Sequence, residues 1–123
     1  MSGFREREKM KMERYLMYLK PHICIIRSLT KLDTKGCTGA PEIVIEILSP
    51  GNNQKELRNK YEVYEESGVL EYWIVSPQEM FLKYTLTGGH YQSSRLMTIG
   101  DIITTNVLPG FELNLDTVFE DLI

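Results

Sequence analysis

Long apolar runs are missing from this chain. No window approaches the roughly 20 apolar residues that a bilayer-spanning helix needs, which excludes a helical membrane span. Cysteine is scarce as well: only Cys24 and Cys37 are present, with no Cys/His spacing of the zinc-finger kind. Two thiols in a chain of this length exclude a disulfide scaffold and predict reduced cysteines in a cytoplasmic setting. The charged N-terminus is not followed by an apolar stretch, so no secretory leader is expected. The two histidines, His22 and His90, lack any HExxH-like spacing. An excess of positive charge is absent too. The net charge is −3, so nucleic-acid binding would have to come from a local patch rather than from overall basicity. No internal repeat or low-complexity linker interrupts the sequence.

What is present fits a single folded domain. The chain has 123 residues, 42% of them hydrophobic and 25% charged, inside the range of ordinary globular domains. Residues 1–20 read as an N-terminal arm or helix, because residues 4–19 are rich in helix formers with mixed charges at i,i+3 and i,i+4 spacing. Residues 21–123 read as the domain proper. The run Ile23-Cys-Ile-Ile26 after Pro21 predicts a short strand, and the polar, glycine-containing stretch 28–40 a loop. Glu42 to Leu48 predicts a second strand, ended by Ser49-Pro50-Gly51. A helix follows, capped by Asn52 or Asn53 and stopped at Ser67-Gly68, with Leu57, Tyr61 and Tyr64 on its apolar stripe. Leu70 to Val75 predicts a buried third strand, parallel to the second as in a strand-helix-strand unit. Beyond Pro77 the pattern turns to short strands: Met80–Leu86 and Tyr91–Met97 about a Gly88-Gly89 turn, then Ile102–Val107, then a last short strand or helix.

The strand from Glu42 carries the sharpest oddity. Alternate side chains share a face, so Ile43, Ile45 and Ile47 point one way, toward a packed helix, and Glu42, Val44 and Glu46 the other. An acid flanked by isoleucines is costly to bury unless it is paired, hydrogen-bonded or bound to a metal. Glu46 therefore either faces solvent, pairs with a nearby lysine, or ligates a cation. Lys60 borders the apolar stripe of the following helix. It could reach over the strand end and act on a phosphate, or simply pair with Glu56 one turn earlier. His22, at the start of a neighbouring strand, could ligate a transition metal or be a surface residue, while His90 reads as loop. Tyr72 and Trp73 could stack on bases, although core packing is the plainer role. Lys55, Arg58 and Lys60 make one helix basic, but Glu56, Glu62, Glu65 and Glu66 dilute the charge.

These residues in this order resemble a known family. Gly39-Ala-Pro-Glu-Ile-Val-Ile-Glu-Ile-Leu-Ser-Pro-Gly51, with Lys60-Tyr61, Tyr64, Gly68-Val69, Glu71-Tyr-Trp-Ile-Val75 and Leu108-Pro-Gly-Phe-Glu-Leu113, is similar to the Uma-type "putative restriction endonuclease" family of the PD-(D/E)XK nuclease superfamily. The resemblance implies an α/β, restriction-endonuclease-like mixed sheet flanked by helices, with a strand-rich C-terminal extension. It implies DNA phosphodiester hydrolysis with Mg²⁺, or Mn²⁺, as cofactor. On this resemblance Glu46 matches the catalytic glutamate and Lys60 the lysine, displaced onto the helix. Glu42 falls where a further acid often stands. His22 takes the place of the family's Asp after Pro21, so the metal-site candidates are Glu46, Glu42 and His22. Mg²⁺ prefers hard oxygen ligands, so a histidine at that position is expected to impair the site, as is the shorter region before Pro21. The alternative is a non-catalytic DNA-binding or dimerising module that pairs through open strand edges.

Overall fold

Two alternating patterns build the centre of the molecule, a computed structural model that describes residues 22–27, 32–33, 36–37, 40–49 and 54–122. The expected N-terminal arm or helix of residues 1–20 and the expected caps at Asn52 and Asn53 lie outside the described residues. Strand β1 is Ile23–Ile25, β4 is Ile43–Ile47, and β5 is Glu71–Ser76. Between β4 and β5 runs helix α1, Gln54–Ser67. Strands β6 (Met80–Thr87) and β7 (His90–Ser93) complete a five-stranded sheet of order β1-β4-β5-β6-β7. The β4–β5 pair is parallel, as the strand-helix-strand pattern predicts, and the other pairs are antiparallel. The sheet is therefore mixed.

The polar stretch read as a loop contains a two-stranded piece instead, β2 (Leu32–Asp33) with β3 (Gly36–Cys37). Pairs of two residues leave no periodicity for a sequence reading to detect. His90 opens β7 rather than sitting in a loop. The turn before it is as short as its glycines suggest. Gly88 and Gly89 take φ of 59° and 84°, the two positive values of a type I′ hairpin turn. Helix α1 ends as predicted. Gly68 has φ 84°, and the Val69 N–H donates to the Tyr64 carbonyl at 3.1 Å, closing the last turn.

Each face of the sheet has its own cover. Ile43, Ile45, Trp73, Val75 and Phe81 share one face, and pack on Ile103, Val107, Leu115 and Phe119. These belong to a C-terminal unit of β8 (Ile102–Thr104), β9 (Glu112–Asn114) and helix α2 (Leu115–Leu122). The chain end is thus both strand and helix, and α2 is the helix under the isoleucine face. On the other face Val44, Tyr72 and Tyr91 pack against Val63 and Tyr64 of α1 and against Val69. With a helix over both faces, the central strands are apolar on both sides, as a buried parallel pair requires. Tyr72 and Trp73 are 0% and 1% exposed, so neither presents a ring to a base; both are core.

One buried acid on the C-terminal side passed unnoticed in the sequence. Glu71 is 3% exposed. Its Oε1 accepts the Trp73 Nε1–H at 2.9 Å and its Oε2 the Thr105 hydroxyl at 2.7 Å. The Thr105 hydroxyl oxygen in turn accepts the Val107 N–H at 3.1 Å. This chain of bonds ties β5 to the segment after β8. Glu71→Ala leaves an indole N–H and a hydroxyl without acceptors in the core. The expected loss is about 3 kcal/mol, at roughly 1–3 kcal/mol per orphaned buried group. Urea denaturation measures it, with Glu71→Gln, which keeps one acceptor, losing less. A loss no larger than that of an exposed glutamate would sink the assignment.

Candidate functional site

Cross-strand register assembles the site. β1 and β4 pair with Ile23 opposite Ile45 and Ile25 opposite Ile43, so one step further His22 stands opposite Glu46. Directly opposed residues share a face. Glu46 lies on the face under α1, together with Val44. On α1, Lys60 and Tyr64 are spaced i,i+4 and so occupy one side of the helix, the side that meets the sheet. His22, Lys60 and Tyr64, which lie 24, 14 and 18 residues from Glu46 in the sequence, thus meet at one carboxylate.

Glu46 is 2% exposed and fully engaged. Its Oε1 accepts from the Lys60 ammonium at 3.1 Å, and its Oε2 from the Tyr64 hydroxyl at 3.0 Å. The His22 Nδ1 lies 3.2 Å from the same Oε1. That nitrogen also accepts the Ile47 backbone N–H at 3.0 Å. Exposure is graded across the cluster: the side chain of Glu46 is 3% exposed, that of Lys60 18% and that of His22 52%. The acid is the most buried of the three and the imidazole the most open. Burial, followed by the Glu46 charge and the hydrogen bond to it, pushes the Tyr64 phenol far above its ordinary pKa. Tyr64 is therefore a permanent donor to Oε2 at any physiological pH. Tyr72 is likewise pushed up, by burial and then by the Glu46 charge, and its hydroxyl has no hydrogen-bond partner among the described residues.

The structure brings Glu46, Lys60 and His22 together. Lys60 directs its ammonium to Glu46, the nearby-lysine pairing that the buried acid required. Glu42, the further acid expected at the site, does not touch Glu46, Lys60 or His22 in the contacts of the described residues. It shares the Glu46 face by alternation, but four residues of strand span about 13 Å. Its carboxylate accepts the Arg27 backbone N–H at the other end of the strand. Among the described residues no group of three or more His, Cys, Asp or Glu side chains is placed to hold a metal ion. Tyr64 is the residue that sequence reasoning missed. In the sequence it falls on the apolar stripe, and the signal available is its i+4 spacing from Lys60.

The basic residues of α1 are interleaved with acids. Lys55 and Arg58 line a surface cavity of about 450 Å³ together with Glu56, Asn59 and Glu62, a wall of mixed charge. Among the described residues no helix is long and apolar enough to cross a membrane.

Comparison with known proteins places this geometry in a context. Residues 10–116 match the family model described as "Uma2: Putative restriction endonuclease". No curated protein matches the chain. A similar solved structure is that of a "putative nuclease belonging to DUF820" from Anabaena variabilis ATCC 29413, with a TM-score of 0.66 at 18% identity. The match covers 84% of this chain and 60% of that one, so it spans less than two thirds of that protein's length. At this identity the likeness concerns the fold, a mixed sheet with helices on its faces.

Proposed function

This chain belongs to the Uma2 family of restriction-endonuclease-like proteins, and on that premise we propose that it is a DNA-directed nuclease domain whose Mg²⁺-dependent cleavage is impaired. The observation that carries the proposal is the pair at the mouth of the site. A neutral or cationic imidazole, His22, faces the buried Glu46 at 3.2 Å, in the position where the family resemblance implies an aspartate.

The residues present fit Mg²⁺ poorly. That ion demands near-octahedral oxygen ligation and is held by carboxylates and retained waters. The cluster supplies one carboxylate, with Lys60 on one oxygen and Tyr64 on the other, and an imidazole nitrogen in place of the second carboxylate. What the chain retains is the part that acts on a phosphodiester directly. The Lys60 ammonium sits at the wall of the site, partly accessible, where it can neutralise charge on a non-bridging phosphate oxygen. Glu46 holds that ammonium in place, and Tyr64 holds Glu46.

Incubation of the full chain with duplex and single-stranded DNA in Mg²⁺ tests the reading. Cleavage no greater than that of the Glu46→Ala variant is expected. Robust Mg²⁺-dependent cleavage that disappears in Glu46→Ala would overturn it.

A further inference from the structure

We propose that Glu65 guards a sheet edge: its carboxylate, held on the outward backbone of β7, keeps that strand from pairing with the β7 of a second copy of this chain.

β7 is the last strand of the five-stranded sheet, so one of its sides has no neighbouring strand among the described residues. Antiparallel neighbours alternate between pairs that exchange backbone hydrogen bonds and pairs that do not. The Ser94 N–H donates to the Lys83 carbonyl at 2.7 Å, which faces Ser94 toward β6. The Leu86 N–H donates to the Leu70 carbonyl at 2.8 Å, on the β5 side. Leu86 and the opposed Tyr91 therefore exchange no bonds. By the same alternation Ser93 joins Tyr91, and both residues turn their backbone N–H and carbonyl groups to the open side. A row of such groups is a template for one more strand.

Edges of this kind are closed by charge, by proline or by a bulge. The β7 sequence His90-Tyr-Gln-Ser93 contains no lysine, acid or proline. The charge comes from α1 instead. The Glu65 Oε2 accepts the outward Tyr91 N–H at 2.8 Å. The His90 Nδ1 stands 3.9 Å from the same oxygen, beyond hydrogen-bond length, so the carboxylate belongs to the strand backbone. The contact is fixed on the strand side too, because the Tyr91 hydroxyl donates to the Val69 carbonyl at 2.8 Å.

A second β7 is the occupant that this edge fits. Antiparallel pairing about a two-fold axis would set Gln92 against its own copy, and the outward groups of Tyr91 against those of Ser93 in the second copy. The uncharged strand offers no repulsion to itself. Glu65 reverses that balance. The Tyr91 N–H already has its acceptor, and the carboxylate meets the incoming carbonyl as acceptor against acceptor. Each copy also brings one such negative charge toward the axis.

Sedimentation velocity of the full chain and of Glu65→Ala, over a range of concentrations, tests the proposal. Glu65→Ala is expected to self-associate at least about ten-fold more tightly than the parent, the scale of one hydrogen bond to a charged group. Ser93→Pro removes an outward donor and leaves the ladder to β6 intact. Added to Glu65→Ala, it should return association to the parent level. Circular dichroism confirms that the associating species is folded. Hydrogen exchange of the parent reads the contact without any substitution. The Tyr91 amide should exchange at least about ten-fold more slowly than the outward Ser93 amide. That comparison decides the matter if Glu65→Ala does not fold. Three results would overturn the proposal: a folded Glu65→Ala as monomeric as the parent, association that survives Ser93→Pro, or equal protection of the two amides in the parent.

Discussion

Glu46→Ala is expected to lower the melting temperature by about 10 °C. The substitution removes the only carboxylate in a buried cluster and strands two partners at once. The Lys60 ammonium, with a side chain only 18% exposed, loses its counter-charge, and the fully buried Tyr64 hydroxyl loses its acceptor. Breaking a buried ion pair from one side costs about 3–5 kcal/mol. Partial access of Lys60 to water places this case near the lower figure. About 3 kcal/mol corresponds to a shift on the order of 10 °C for a domain of this size. Combining Glu46→Ala with Lys60→Met should cost less than the sum of the two single losses, because the second substitution removes the stranded charge. Differential scanning calorimetry of the four proteins checks both statements. A Glu46→Ala protein as stable as the parent would mean that the acid is solvated, and would remove the buried cluster on which the site is built.

The second large effect is alkaline. Tyr64, Tyr72 and Tyr91 are fully or almost fully buried. Burial comes first among the causes that push all three phenols well above their ordinary value, with Glu46 adding to Tyr64 and Tyr72, and Glu65 adding to Tyr91. In the unfolded chain each titrates near pH 10. Below that pH both states hold the proton and stability does not depend on these groups. Above it the unfolded state releases protons that the folded state keeps, so stability falls as pH rises. Each phenol contributes about 1.4 kcal/mol per pH unit, and three together about 4 kcal/mol per unit. A domain with about 5–15 kcal/mol in total should then unfold cooperatively within a few units above pH 10. Tyrosinate absorbance and circular dichroism recorded together test this. The buried phenols should ionise only as the fold is lost. Ionisation of all seven tyrosines before any change in circular dichroism would refute the claim.

The same ring cluster explains how α1 is seated over the acid. Tyr61 meets Tyr84 and Tyr91 edge-on at 5.0 and 5.3 Å, and Tyr64 meets Tyr72 at 5.0 Å, the edge-to-face geometry that aromatic pairs favour. These contacts fix the rotation of α1 on the sheet, and that rotation aims Lys60 and Tyr64 at Glu46. A stability core and a candidate site thus share one helix face.

Much of this was legible in the residues themselves. The β4 alternation, the glycine turn at Gly88-Gly89, the helix stop at Gly68 and the parallel β4–β5 pair all follow from local periodicity and turn chemistry. So did the suspicion that an acid between isoleucines needs a partner. The short β2–β3 pair escaped because two residues carry no period. Glu71 escaped because its acceptors' partners, Trp73 and Thr105, come from different parts of the chain, and only Trp73 is near it in sequence.

From sequence alone came most of the order of elements, which rests on spacing within a few residues, and the candidates Glu46, Lys60 and His22, whose roles the family resemblance implies. Tertiary structure alone decided which of them meet. The β1–β4 register set His22 across from Glu46, while the Glu42 carboxylate accepts the Arg27 backbone N–H. The seating of α1 turned Tyr64 from a packing residue into the donor on Oε2. Register and helix rotation are set by the sum of many long-range contacts, and no local stretch of residues encodes that sum.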